Sequence, residues 1–308
     1  MNNLPNKLYI LTNNNESYRQ HIRALALPDL TITEERHEAN ILLAAPPLAA
    51  QQLNSFPQLK WLQSIYAGVD ALLHSSQRRD YQLTNIKGIF GQAITEYILG
   101  YTIAHYRHFS RYQQQQTEQR WQAHPYTTLT SKRMTILGTG SIGHELAQKA
   151  RAMGLNVVGV NTLGISPDAQ LFEHVYPTQE LTLAVSIADV IVNTLPDTPD
   201  TYHLLNNQTL QAAQQALLFN VGRGSAICQS ALLNALEKGN IEHAYLDVFE
   251  KEPLEPDHPY WQHNNITLTP HIAALSAPEQ VINIFAANYL RWQDAQPLHG
   301  LINFSKGY

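Results

Sequence analysis

The sequence predicts an α/β protein of two domains, on three observations. Its 308 residues suggest about two domains, and 44% of them are hydrophobic, which is enough for a full core. Helical patterns such as "QSALLNALEKG" lie between apolar runs in the second half, which predicts a doubly wound sheet. Six of these runs are continuously apolar, as in parallel strands covered on both faces: "MTILG", "NVVGV", "ADVIVNT", "ALLFNV", "HAYLDVF" and "NITLTP".

The first domain is predicted to be a smaller α/β layer. Short runs such as "KLYIL", "ANILLAA" and "LKWLQSI" alternate there with helix-like segments such as "ESYRQHIRALAL". The segment Ala93–Trp121 contains no Gly or Pro after Gly100, which predicts one long helix leaving this domain. A helical pattern near the C-terminus, "APEQVINIFAANYLRWQ", can carry the chain back to it. We therefore expect residues 1–92 and 279–308 to form one domain and residues 93–278 the other.

Composition excludes several classes of partner. The formal net charge is -5 and no lysine- or arginine-rich run offsets it, so nucleic acid is not an expected partner. No apolar run approaches the roughly 18 residues of a membrane span. The single Cys228 cannot form an intrachain disulfide, and "MNNLPNKLYI" lacks the features of a signal peptide. These observations predict a cytoplasmic protein.

Three glycines follow the first strand of the second domain in "ILGTGSIG". In this strand, turn and helix context, Gly138 suits a tight turn, Gly140 close approach to a pyrophosphate, and Gly143 close packing of helix on strand. The start of the helix, with Ser141 and Ile142, supplies N–H groups and partial positive charge. The pattern predicts a dinucleotide-binding domain of the Rossmann type.

Other nucleotide and hydrolase chemistries lack their motifs. A phosphate-binding P-loop needs Lys and then Ser or Thr after its last glycine, whereas Gly143 is followed by His144 and Glu145. The chain has no Gly-x-Ser-x-Gly elbow, no HExxH zinc motif, and no Tyr four residues before a Lys. Neither a metal site nor a hydrolase is therefore predicted.

The second strand of this domain ends on Asn161, where an NAD-binding unit usually has an acid that binds the ribose hydroxyl. Without the acid, a 2′-phosphate is not repelled, and Asn161 and Thr162 can hydrogen-bond to it. The residues up to Ser166 carry no cation, so the preference should be modest. NADP(H) is favoured as the cofactor and NAD(H) is possible.

Three polar residues follow successive strands of the predicted sheet. Arg223 comes after "ALLFNV", Glu252 after "HAYLDVF", and His271 after "NITLT". Each residue alone could be an ordinary turn or surface residue with no functional role. However, ligands bind at the carboxyl ends of such strands. An arginine fork suits a carboxylate, and a carboxylate beside a histidine favours the imidazolium. Together they suit reduction of a 2-oxo acid, in which an acid protonates the carbonyl oxygen.

Five ordered motifs of the chain occur together in one known family: "ILGTGSIG", "NTLPDTPDTYHLLN", "NVGRGSAI", "LDVFEKEPL" and "TLTPHIAAL". With them the sequence resembles the D-isomer-specific 2-hydroxyacid dehydrogenase family. The resemblance covers nearly all of residues 57–290 and is greatest to the glyoxylate/hydroxypyruvate reductase branch. It implies a Rossmann-type nucleotide domain, a smaller flavodoxin-like substrate domain, a small 2-oxo or 2-hydroxy acid as substrate, and a homodimer.

The resemblance also implies roles for individual residues. Arg223 would bind the substrate carboxylate and carbonyl, His271 would donate the proton, and Glu252 would raise the pKa of His271. The backbone N–H groups of Ala67 and Gly68 would bind the carboxylate. Asp247 would lie near the nicotinamide carboxamide, and the groove around the cofactor would be lined by Thr194, Leu195, Pro196 and Val221.

Some alternatives stay open at this stage. Glu250 is a rival for the acidic role, although it does not precede a proline as the motif requires. A protein of this fold could instead be a non-enzymatic, nucleotide-sensing partner protein. A D-2-hydroxyacid dehydrogenase with a larger substrate would share the mechanism and differ only in its pocket.

Overall fold

The computed structural model describes residues 6–305, which form two units, each built on its own sheet. The first unit comprises Met1–Ile89 and Ser276–Tyr308, and the second comprises Phe90–Leu275. The sequence places these divisions after residues 92 and 278. Residues 1–5 and 306–308, which the sequence assigns to the first domain, lie outside the described residues.

The first unit contains a five-stranded sheet. Its strands are β1 Asn6–Leu11, β2 Leu30–Ile32, β3 Ile41–Ala44, β4 Trp61–Ser64 and β5 Gln82–Thr84, with helices α1 Asn15–Leu25, α2 Pro46–Gln52 and α3 Asp70–Leu73 between them. The order β2-β1-β3-β4-β5 with all neighbours parallel is the flavodoxin order. Every residue of β3 and β4 is buried, as expected for central parallel strands.

The second unit contains a seven-stranded parallel sheet. In chain order its elements are α4 Gly91–Tyr106, α5 Phe109–Thr117, β6 Arg133–Leu137, α6 Ser141–Ala152, β7 Asn156–Asn161, β8 His174–Pro177, α7 Leu181–Ser186, β9 Val190–Asn193, α8 Asn207–Leu210, β10 Ala216–Asn220, α9 Gln229–Glu237, β11 Ile241–Leu246 and β12 Ile266–Leu268. The strand order is β12-β11-β10-β9-β6-β7-β8, so the direction of winding reverses between β6 and β9. Ligands bind at such a switch point in doubly wound sheets. All six predicted strands are present, and β8 is an additional one.

The prediction of one long helix over Ala93–Trp121 is wrong. The segment forms two helices, α4 and α5, because His108 adopts a left-handed backbone conformation with φ 57°. Its ring nitrogen Nε2 lies 2.8 Å from the carbonyl oxygen of Pro125, so the break is held by a later part of the chain. Within residues 6–305, no helix combines the length and apolar character needed to cross a membrane.

The helix near the C-terminus, α10 Pro278–Gln293, belongs to the first unit. Phe285 stacks on Trp61 of β4 with ring centroids 5.2 Å apart. Asn288 is fully buried, and its Nδ2 donates to Oε1 of Gln63 in the same strand at 3.1 Å. These contacts with the centre of the sheet explain why α10 packs in this unit.

Candidate active site

A glycine turn joins β6 to α6 at the switch point. Gly138 has φ 98°, a conformation that side chains rarely adopt, and a Cβ there would lie 2.6 Å from Oγ1 of Thr194. That hydroxyl donates to the carbonyl oxygens of Leu137 and Gly138, at 2.9 and 3.2 Å. A Cβ on Gly143 would lie 2.0 Å from the carbonyl oxygen of Gly138. Both glycines are therefore required by close packing within the protein.

Gly140 differs from these two glycines. A Cβ at this position would meet no atom within 4 Å, and its φ of -73° is ordinary. Because Gly140 is the N-cap of α6 and offers no side-chain cap, the first N–H groups of the helix, from Ser141 to Gly143, are open to a ligand. An open approach to the N-terminus of a long helix fits the pyrophosphate of a dinucleotide.

The predicted groove residues lie in two loops that follow β9 and β10. The N–H of Leu195 donates to Oδ1 of Asn193 at 3.2 Å, and the N–H of Val221 donates to the Asn193 carbonyl oxygen at 3.1 Å. The carbonyl oxygen of Pro196 accepts a 2.7 Å hydrogen bond from the Thr201 hydroxyl. Both loops thus have a fixed backbone beside the glycine turn.

Asn161 lies at the carboxyl end of β7, and its side-chain amide makes four hydrogen bonds. Nδ2 donates to Oγ1 of Thr139 at 2.9 Å and to the carbonyl oxygen of Ile165 at 2.7 Å. Oδ1 accepts from the N–H groups of Leu163 and Gly164, at 3.1 and 2.8 Å. This is the full capacity of an amide. Asn161 therefore shapes its own loop, and any influence on the cofactor is exerted through that loop.

The turn that carries Arg223 packs against the loop that carries Glu252. A Cβ on Gly224 would lie 1.9 Å from the carbonyl carbon of Phe249, so the two backbones are in direct contact. Nη1 of Arg223 donates to the carbonyl oxygen of Gly222 at 2.6 Å. The positive charge of Arg223 lowers the pKa of Glu252, although other causes are larger. The structure thus brings together two of the three predicted catalytic residues.

His271 completes the set. Its Nδ1 lies 2.8 Å from Oε2 of Glu252, and Oε1 of Glu252 accepts the N–H of Phe249 at 2.9 Å. The hydrogen bond to Glu252 raises the pKa of His271, opposed by burial, while the negative charges of Glu252 and Asp247 act in the same direction as the bond. Burial raises the pKa of Glu252, but its hydrogen bonds from His271 and Phe249 outweigh that effect and lower it. The geometry favours an imidazolium paired with a carboxylate.

Asp247 fixes the loop on which His271 lies. It is buried, and Oδ1 accepts from the Thr269 hydroxyl at 2.6 Å and from the N–H of Ile272 at 2.8 Å. Oδ2 accepts from the N–H of Ala273 at 2.9 Å. The predicted contact of Asp247 with a nicotinamide carboxamide stays a prediction, whereas this structural role is visible.

Ala67 and Gly68 lie in the first unit, after β4. Asn85 donates from Nδ2 to the Ala67 carbonyl oxygen at 2.7 Å, and Oγ of Ser64 donates to the Tyr66 carbonyl oxygen at 2.8 Å. Across residues 6–305, neither Ala67 nor Gly68 donates its backbone N–H to another group of the chain. Both N–H groups thus keep the donor capacity that the family resemblance implies for binding a substrate carboxylate.

Sequence reasoning missed the asparagines that hold these loops. Asn193 and Asn220 end β9 and β10, and Asn85 follows β5. Their signal was a single Asn closing an apolar run, as in "VIVNT" and "LLFNV". An amide in that position can reach backbone groups that have no strand partner.

The glycine turn, the switch point and the acid–base pair define a dinucleotide-binding enzyme of the doubly wound class. Residues 99–273 match the family model described as D-isomer specific 2-hydroxyacid dehydrogenase, NAD binding domain. The chain is also 32% identical over 285 residues to a protein named glyoxylate/hydroxypyruvate reductase A from Serratia proteamaculans (strain 568), covering 89% of each chain.

Two solved structures are similar over almost the whole chain. A D-isomer specific 2-hydroxyacid dehydrogenase family protein from Aeromonas salmonicida subsp. salmonicida A449 is 42% identical, with a TM-score of 0.92 and coverage of 97% of this chain and 99% of that one. A D-isomer specific 2-hydroxyacid dehydrogenase from Xanthobacter autotrophicus Py2, solved in complex with NADPH and MES, is 26% identical. Its TM-score is 0.87, with coverage of 99% of this chain and 100% of that one.

The chain therefore belongs to the D-isomer specific 2-hydroxyacid dehydrogenase family. The predicted family, the α/β fold class and the class of enzyme, a nicotinamide-dependent oxidoreductase, are confirmed. The structure brings Arg223, Glu252 and His271 together at the carboxyl edge of one sheet.

Replacement of Gly143 and of Gly140 by alanine should have different effects, on stability in the first case and on cofactor binding in the second. Gly143→Ala should lower the free energy of unfolding by about 1–3 kcal/mol, because the new methyl overlaps the Gly138 carbonyl oxygen. Gly140→Ala should leave the unfolding temperature unchanged and weaken NADPH binding, because its methyl lies on the open approach to α6. Thermal unfolding and fluorescence titration with NADPH measure the two effects. An equal loss of stability in both variants would contradict this assignment.

Asn161→Asp should weaken NADPH binding about tenfold or more without improving NADH binding. The carboxylate repels a 2′-phosphate, and it also loses the two donors that hold Thr139 and Ile165. The adjacent substitution Thr162→Asp adds the same charge without removing these hydrogen bonds and serves as the control. Dissociation constants for both cofactors measure the outcome. A several-fold gain in NADH affinity for Asn161→Asp would show that the loop tolerates the loss of both donors.

Proposed function

We propose that this protein reduces small 2-oxo acids, glyoxylate and hydroxypyruvate, to 2-hydroxy acids with NADPH. The observation that carries the proposal is the 2.8 Å contact between His271 and Glu252 within the electrostatic reach of Arg223. The name of the Serratia relative, a glyoxylate/hydroxypyruvate reductase, supports this choice of substrates.

Arg223 binds the substrate in this proposal. Its guanidinium can give two parallel hydrogen bonds to a planar carboxylate, or one to the carboxylate and one to the 2-oxo group. The backbone of Arg223 is extended, with φ -141°, and the turn lies between two buried residues, Val221 and Ala226. The N–H groups of Ala67 and Gly68 are proposed as further donors to the carboxylate, since neither is used within the chain.

His271 supplies the proton. With Nδ1 bound to Glu252, its Nε2–H is the group that can donate to the carbonyl oxygen as negative charge develops there. Glu252 keeps the imidazole in its charged form and fixes the orientation of the ring. When bound, the nicotinamide cofactor supplies the hydride that reduces the carbonyl carbon.

The glycine turn and its neighbours would hold the cofactor. Gly138, Gly140 and the start of α6 would bind the pyrophosphate, and the loop shaped by Asn161 would face the ribose. Residues 161–166 contain no acidic side chain that would repel a 2′-phosphate. The Xanthobacter relative was solved in complex with NADPH. We therefore favour NADPH over NADH. Asp247 and the groove residues would lie against the nicotinamide side: Thr194, Leu195, Pro196 and Val221.

We further propose a homodimer in the cytoplasm. The segment after α4 carries aromatic side chains that are largely exposed in the single chain, including a fully exposed Trp121, and such a surface suits a second copy. The single cysteine suits a reducing compartment. Sedimentation velocity tests the dimer, which would be refuted by a monomer at all concentrations.

The purified protein should oxidise NADPH when glyoxylate or hydroxypyruvate is added. His271→Asn should lower turnover by a factor on the order of 10² to 10⁴, because the proton donor is lost, and should leave NADPH binding intact. Absorbance of the reduced cofactor measures turnover. Failure to oxidise NADPH or NADH with any of a panel of 2-oxo acids would overturn the proposed function and favour a nucleotide sensor.

Glu252→Gln should shift the pH profile of reduction. The hydrogen bond to Glu252 raises the pKa of His271, and reduction needs the protonated ring, so kcat/KM falls as pH rises through this pKa. Without the carboxylate, the decline should begin at a lower pH, toward the ordinary histidine value of about 6.5. Glu250→Gln is the matched control, since Glu250 contacts Tyr202 and His203 instead. An unmoved profile for Glu252→Gln, or an equal shift in the control, would refute the pairing.

A further inference from the structure

Two asparagines close neighbouring strands of the nucleotide sheet. Asn193 ends β9 with an exposure of 0%, and Asn220 ends β10 with 1%. Nδ2 of Asn193 donates to Oδ1 of Asn220 at 2.8 Å, so the two amides form one buried pair. A buried amide is unfavourable unless its hydrogen bonds are made, which fixes the partners that each side chain must keep.

Asn220 makes two further hydrogen bonds, both to the turn of Arg223. Its Nδ2 donates to the carbonyl oxygen of Arg223 at 3.0 Å, and its Oδ1 also accepts the N–H of Gly222 at 3.3 Å. The two bonds lie on either side of the Gly222–Arg223 peptide bond. They therefore fix the backbone from which the arginine side chain leaves.

Asn193 holds the neighbouring loop in the same way. Its Oδ1 accepts the N–H of Leu195, and its backbone carbonyl accepts the N–H of Val221. A Cβ on Gly222 would lie 2.6 Å from the Leu195 carbonyl oxygen and 3.0 Å from Nδ2 of Asn193. The turn of Arg223 thus packs directly against the loop proposed to line the cofactor groove.

We propose that Asn220 is the positioning residue for Arg223 and that Asn193 joins it to the cofactor loop. The Asn220 side chain bonds to Asn193 and to the backbone of Gly222 and Arg223, so it acts through the backbone of the arginine turn. The inference rests on the proposed role of Arg223 in binding the 2-oxo acid. It predicts that loss of the Asn220 donor lowers affinity for the acid and leaves affinity for the cofactor almost unchanged.

Asn220→Asp tests the donor directly. Aspartate has the same shape and can still accept from Asn193 and Gly222, but when ionised it cannot donate to the Arg223 carbonyl oxygen. Because it also adds a negative charge near an anionic substrate, the uncharged variant Asn220→Ser is measured beside it and should show a similar rise in KM. We expect KM for glyoxylate to rise about tenfold, as for the loss of one hydrogen bond in a buried site, with KM for NADPH within about twofold of wild type. Asn193→Asp should raise both KM values, because it loosens both loops.

Asn288→Asp is the matched control. Asn288 is also fully buried, and its Nδ2 donates to Oε1 of Gln63 and to the carbonyl oxygen of His299, both in the first unit. It should lose thermal stability with both KM values unchanged. If Asn220→Asp does not fold, Asn220→Ser replaces it, with the same expected rise in KM for glyoxylate.

A double-mutant cycle with Arg223→Lys separates positioning from general loosening. If Asn220 acts through Arg223, the loss of kcat/KM in the double variant should be smaller than the product of the two single losses. If the loss of kcat/KM in the double variant equals the product of the two single losses, the proposal is overturned. So would a KM for glyoxylate within about twofold of wild type in both Asn220 variants, since a lost hydrogen bond should exceed that change.

Binding of oxalate in the presence of NADP⁺, measured by calorimetry, distinguishes this inference from the proposed function. A wild-type protein without reductase activity refutes the function. In that case, weaker oxalate binding by both Arg223→Lys and Asn220→Asp still supports the positioning role. If Arg223→Lys weakens oxalate binding and Asn220→Asp leaves it unchanged, the positioning role of Asn220 is refuted.

Discussion

The seven parallel strands of the nucleotide sheet all end at one edge, and there the backbone runs out of strand partners. A chain that leaves this edge must satisfy its N–H and carbonyl groups in another way. Thr194 does this for Leu137 and Gly138, Asn193 for Leu195, and the Asn220 side chain for the turn that follows β10. These hydrogen bonds pair the backbone groups at the edge of the sheet and also fix the loops that follow the strands. The loops that form the candidate site are therefore held by the same bonds.

The position of His271 shows how this constraint serves chemistry. The residue adopts φ 55°, a left-handed conformation that costs a non-glycine residue roughly 1 to 2 kcal/mol. Its N–H donates to the Asp247 carbonyl oxygen, while the Asp247 carboxylate holds the N–H groups of the next two residues. The buried Asp247 therefore holds three consecutive residues of the loop, and these hydrogen bonds maintain the left-handed conformation of His271. The ring is thereby directed to Glu252 on the preceding strand connection.

Much of the site could be predicted from the sequence because some residues have few alternative uses. Gly138 and Gly143 leave no space for a methyl group, and an Arg, Glu and His after successive strands of one parallel sheet must lie at the same edge. Asn161 was different. Its type and position at the end of β7 were evident, but its four partners depend on how the chain folds back at Thr139 and Ile165. The sequence could not reveal that its amide is fully used.

The missed features have the same origin in contacts between distant residues. The break between α4 and α5 falls at a histidine whose ring is bound by Pro125, with neither Gly nor Pro to mark it. The strand β8, with the sequence HVYP, has a single buried residue and ends on a proline, so it lacks the continuous apolar run that marks the six predicted strands. The Asn193–Asn220 pair requires two strands to be neighbours, which only the sheet order establishes.

We propose that this site reduces a 2-oxo acid by hydride transfer to its carbonyl carbon, while His271 supplies the proton. The most direct test uses NADPH deuterated at the transferable position of the nicotinamide ring, with glyoxylate as substrate, and mass spectrometry of the product. We expect glycolate that carries the deuterium on carbon. Oxidation of the cofactor without deuterium in glycolate, or no glycolate at all, would contradict it.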